Sequence, residues 1–116
     1  MSYLLQLVRR RDPVAPHVPI ARVDEHARLN RAGLYGDAFV HVYVEDTSAC
    51  APRRRHRGQP VLILEIADCT NSIALEFSLS TAELRDNSLF KIDTLLGALQ
   101  PFRDGLAAEA DLAARR

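Results

Sequence analysis

From Ile73 to Ser80 the chain alternates without a miss, Ile73, Leu75, Phe77 and Leu79 against Ala74, Glu76, Ser78 and Ser80. A period of two is the mark of a strand with one buried face. The run Val61 to Ala67 before it is rich in aliphatic residues, and Cys69-Thr70, flanked by Asp68 and Asn71, supplies a turn between the two. Centring the turn there pairs Ile66 with Ile73, Leu64 with Leu75 and Leu62 with Phe77, so both strands bury the same face. A slip of one residue would turn one apolar set outward. Upstream, AFVHVYVED alternates Val40, Val42 and Val44 with Phe39, His41, Tyr43 and Glu45 and reads as a third strand. The expected sheet is a three-stranded antiparallel meander. Residues 3–8 are too short an apolar run to separate an edge strand from one helical turn; an edge strand is preferred, giving the sheet a fourth member.

Helices are expected on either side. Residues 21–32 carry Val23, Ala27 and, further on, Leu34 on one side, with Arg22, Glu25, Arg28 and Arg31 towards water. Gly33 is placed to end that helix in a left-handed cap. After the strands, Ser80-Thr81-Ala82-Glu83 fits a capping box with the serine as cap. Leu84, Leu89, Ile92, Leu95, Leu96 and Leu99 then follow helical spacing. Asp86-Asn87-Ser88 weakens the first turn and could move the helix start to Ser88. Pro101 is expected to end or kink the helix, since it lacks an amide proton and clashes with the preceding turn. A second helix would run from Phe102 to about Arg115. The prolines at 13, 16 and 19 make residues 12–19 an extended connector. The fold class that follows is α+β: a meander packed by a helix before it and one or two helices after it, in a single domain over residues 1–116.

Composition narrows the function classes. Fifteen basic and fifteen acidic residues give a formal net charge of zero in 116 residues. A protein that coats nucleic acid or an anionic membrane with its whole surface needs a cationic excess. Cys50 and Cys69 are too few for a disulfide framework and lack metal-ligand spacing, so both read as reduced thiols and no cofactor is implied. The longest uninterrupted aliphatic run, Val61 to Leu64, is far below the roughly 18 residues of a membrane span. The arginines near the N-terminus follow the apolar LLQLV where a secretion signal would place them before it. The expectation is a cytoplasmic protein with no membrane partner.

One local charge concentration remains. Arg53, Arg54, Arg55, His56 and Arg57 lie in the proline- and glycine-bearing stretch 47–60. Guanidinium groups bind phosphates bidentately, which makes this loop the candidate nucleic-acid contact. The simpler reading is a solvated connector. Helix, three strands, helix is also the element order of double-stranded-RNA-binding domains. Their phosphate contacts use a lysine-rich start to the last helix, where this chain has Ser80-Thr81-Ala82-Glu83-Leu84-Arg85-Asp86, so no family membership is drawn.

For catalysis the candidate constellation is His41 with Tyr43, Glu45, Glu65 and Glu76 on the sheet face away from the aliphatic one. The competing reading, a sheet surface whose charges keep it soluble, is preferred. Asp24-Glu25-His26 has metal-site composition, but neighbours on a helix point about 100° apart and do not converge. No catalytic or metal site is assigned. Leftover apolar surface points elsewhere. Phe39, Tyr43, Val61 and Ile63 on the second sheet face, with Phe102 and Leu106 on the last helix, form the candidate interface for a protein partner, in the first instance a second copy. The function expected is a non-catalytic binding or regulatory module; the alternative is a nucleic-acid binder using residues 53–57.

Overall fold

In the computed structural model, residues 20–48 and 60–116 are described. The edge strand expected at 3–8, the connector at 12–19, Cys50 and the arginines at 53–57 lie outside them. The chain divides into two compact units, Met1–Glu76 and Phe77–Arg116.

The first unit holds a four-stranded antiparallel sheet, β1 Ile20–Arg28, β2 Ala38–Asp46, β3 Leu62–Asp68 and β4 Asn71–Ala74, in the order β1-β2-β3-β4. The α+β class and the antiparallel sheet hold, and the helix before the strands does not. Residues 20–28 form a strand that pairs with β2 from Ile20 opposite Asp46 to Arg28 opposite Phe39. The physical reason lies in the pattern itself. Ala21, Val23 and Ala27 alternate with Arg22, Asp24, His26 and Arg28, and only Glu25 interrupts. A neighbouring strand of alternating valines offers that pattern backbone partners, and the weak helix propensity of the segment yields to them. A bulge at Arg22, between the Ala21 and Val23 pairs, shifts the register once. The Arg22 guanidinium reaches Asp46 at 2.8 Å.

Gly33 adopts φ +84°, as a left-handed turn residue should, but inside the β1–β2 connection and not as a helix cap. Leu29 N–H donates to the Ala38 carbonyl at 2.9 Å and Leu34 N–H to that of Arg31 at 3.1 Å, closing this connection. At the far end of β2, Asp46 Oδ1 accepts the Ser48 N–H at 2.9 Å. Hydrogen bonds from Ser48, with Arg22 adding to them, hold the Asp46 carboxyl below its ordinary value against a small opposing effect of burial. A depressed carboxyl lends its stabilisation above the usual aspartate range and loses it as pH falls through the lowered value.

The β3–β4 hairpin keeps the expected register: Ile66 is opposite Ile73, Asp68 opposite Asn71, and Leu75 N–H donates to the Leu64 carbonyl at 3.0 Å. Cys69 takes φ +57° in the two-residue turn. The strand stops at Ala74, well short of the alternation in the sequence, and Phe77 does not pair with Leu62. The backbone groups that would have continued the ladder go elsewhere. Ser88 Oγ accepts the Ser78 N–H at 3.0 Å and donates to the Ser78 carbonyl at 2.9 Å. One hydroxyl does for Ser78 what a neighbouring strand would do.

The second unit is built on α1, Ala82–Ala114, 33 residues without a break. Neither Asp86-Asn87-Ser88 nor Pro101 divides it. Ser88 is only 7% exposed and its side chain is committed to Ser78, so it is a packing residue and not a helix start. Pro101 costs one backbone bond, about 3 kcal/mol in an isolated helix. Leucines and alanines on both sides offset that cost through their propensity. The cap also falls one residue later than the box predicts. The Ser80 hydroxyl is 3.0 Å from that of Ser78, and Thr81 Oγ1 accepts the Leu84 N–H at 3.0 Å. Glu83 remains in the first turn, where the helix dipole favours it. Thr81→Ala should therefore cost about 1 kcal/mol in thermal or denaturant unfolding, and Ser80→Ala distinctly less. A larger loss from Ser80→Ala than from Thr81→Ala would return the cap to Ser80.

Candidate functional site

Residues directly opposite in an antiparallel pair share a face of the sheet. The registers therefore sort the side chains without ambiguity. Val23, Ala27, Val40, Val42, Val44, Leu62, Leu64, Ile66 and Ile73 fall on one face, with Glu25 the charge in its middle and Asp46 and Asp68 at its ends. On the other lie Asp24, His26 and Arg28 from β1, Phe39, His41 and Tyr43 from β2, and Ile63, Glu65 and Ala67 from β3. The second face is the candidate site.

Three cross-strand rows build it. In the first, Arg28, Phe39 and Ala67 align. Ala67 is 6% exposed, and the ring of His26 stacks on that of Phe39 with centroids 4.5 Å apart and planes 24° from parallel. In the second, His26, His41 and Glu65 align, the two imidazoles 5.6 Å apart and tilted by 43°. In the third, Asp24, Tyr43 and Ile63 align. Asp24 Oδ1 lies 3.8 Å from His41 Nε2, an ion pair only when that ring carries a proton.

Of the constellation named from sequence, the sheet brings His41, Tyr43 and Glu65 together. Glu45 is occupied differently, its Oε1 accepting the Val61 N–H at 2.9 Å and fastening the end of β2 to the start of β3. Glu76 lies beyond β4 and has no place in a cross-strand row. The residues sequence reasoning missed are Asp24 and His26. On a strand, residues two apart share a face, so these two converge on His41 while Glu25 turns to the aliphatic side. The alternation in residues 21–28 was the signal.

Chemically the face offers two imidazoles and two carboxylates around an aromatic ring. Histidine, cysteine and acidic side chains form no group of three able to hold a metal among the described residues. Half-buried rings bordered by charge are suited to contact with another surface, where aromatic residues contribute area at low entropic cost. The remaining candidate interface residues divide in the same way. Phe39, Tyr43 and Ile63 are half-buried on this face, while Val61, just before β3, is 50% exposed. Phe102 and Leu106 project from α1, 66% and 57% exposed.

The helix extends that observation. Leu89, Phe90, Leu96 and Leu99 are also between 50% and 68% exposed. The large apolar side chains of α1 that are half-buried are Ile92 and Leu95, and the Lys91 ammonium lies 5.3 Å from the centroid of the Phe77 ring. No helix of the described residues is long and apolar enough to cross a membrane.

Compared with protein-family models, curated proteins and solved structures, the chain gives no match.

Proposed function

We propose that this chain is a non-catalytic interaction module of the cytoplasm that acts through protein–protein contact and associates with itself as a homodimer. The observation that carries the reading is the accounting of apolar side chains. Among the described residues only Ala38 and Ala67 are buried hydrophobics, whereas fifteen large ones are exposed, eight of them along α1 from Leu84 to Leu112. Folded domains hold leucine, isoleucine, valine and phenylalanine inside, and an extensive exposed apolar surface marks a site where another chain completes the burial. A 33-residue helix adds to this, because helices in proteins draw most of their stability from packing one face.

Light scattering across micromolar concentrations tests the reading. The parent should have twice the chain mass. Replacing Phe39 and Ile63 together by serine measures the part played by the second sheet face: a folded monomer would place the contact there, and an intact dimer would place it on α1. A parent that stays monomeric at high micromolar concentration removes self-association. Salt-sensitive binding of the parent to DNA or RNA, lost when Arg53, Arg54, Arg55 and Arg57 become alanine, would instead favour a nucleic-acid role for that loop.

A further inference from the structure

We infer that the second copy is held by α1 itself, two such helices pairing antiparallel along a seam formed by Ile92, Leu95, Leu99, Phe102 and Leu106. This rests on the self-association proposed above and adds its surface and its direction. The spacing of the seam is three, four, three, four, the alternation that keeps one stripe of a helix turned towards a partner helix. Leu99, Phe102 and Leu106 are 50%, 66% and 57% exposed, so the stripe is open from Leu99 onward, while Ile92 and Leu95 are half-buried. Pro101 and Gly97, which weaken a helix interior, fall on the opposite side from the seam by helical spacing, and the stripe is uninterrupted where they occur.

Three features select the antiparallel arrangement. The seam is bulky in its first half and small in its second, where Ala110 and Ala113 take over the helix face. Parallel copies would set alanine on alanine over the second half; the antiparallel register given below sets Ala110 against the aliphatic stem of Lys91 instead. Charge points the same way. Glu109 is the one acidic residue at a seam position beyond Leu106, and parallel pairing places it against Glu109 of the second copy. In the antiparallel register that puts Leu99 against Phe102 and Leu95 against Leu106, Glu109 falls opposite Ile92 and beside Lys91, the only lysine in the chain. Opposed helix dipoles add a smaller favourable contribution.

The experiment uses the full chain with Cys50→Ser and Cys69→Ser, a spin label attached through Gln100→Cys or Asp111→Cys, and light scattering and circular dichroism on the same samples. Both label positions lie on the outer side of the helix. The antiparallel seam predicts a dimer in which labels at 100 lie within about 20 Å of each other, because that position is next to the centre of the pair. Labels at 111 should be at least about 30 Å apart, from some twenty residues of axial offset at 1.5 Å each. A dimer with both pairs within about 20 Å is a parallel coil and overturns the proposal. A dimer with both pairs beyond that range means α1 is not the contact, which overturns the seam while leaving self-association standing. A helical monomer overturns both.

Discussion

Leu64→Ala should lower stability by about 2 to 3 kcal/mol, towards the lower end of leucine truncations because Leu64 is half-buried and not sealed. Leu64 stands opposite Val42 on the aliphatic face, between Leu62 and Ile66, and its carbonyl accepts the Leu75 N–H. Truncation removes apolar surface opposite Val42, and the β-hairpin cannot slide to refill the space without exposing its other apolar residues. Denaturant unfolding gives the measurement. A midpoint equal to the parent's would mean that the aliphatic face contributes nothing to the fold.

That register is legible in the sequence. The Cys69-Thr70 turn, the Ile66 and Ile73 pair and the alternation in β2 all stand where the sequence puts them, because each rests on a local signal that tertiary context reinforces. Residues 20–28 went the other way. Their pattern fits a period of two with one fault at Glu25 and also a helical spacing of Val23 and Ala27, and the choice is made by β2, which supplies the ladder. The consequence for the site was direct: on a helix Asp24 and His26 diverge, and on a strand they meet His41.

The other departures share a cause. Phe77, Ser78 and Leu79 continue the strand pattern in sequence, yet a single hydroxyl, that of Ser88, captures both backbone groups of Ser78 and ends the ladder. Nothing in the alternation could reveal a competitor ten residues away. Pro101 likewise signals a local cost, whereas the residues flanking it carry the helix through. The apolar positions of α1 were legible individually. What the sequence did not disclose was that those around Leu99 and Phe102 would be left open.

Leu99→Asp combined with Phe102→Asp has the largest expected effect on association. Both side chains are at least half exposed, so the substitutions cost the separate chain little, while in a helix pair they place four carboxylates in one apolar layer. Dimer affinity should fall at least about 100-fold, on the order of 3 kcal/mol. Helical content should stay close to the parent's, since neither position contacts the Thr81 cap or Ser88.

The most direct test of self-association is the denaturation midpoint measured over about a 100-fold range of chain concentration, because a dimer that unfolds to separate chains becomes more stable as concentration rises. The parent's midpoint should climb steadily across that range, and that of the Leu99→Asp, Phe102→Asp variant should not move. A parent midpoint identical at both ends of the range would show that the chain does not associate and would contradict the account.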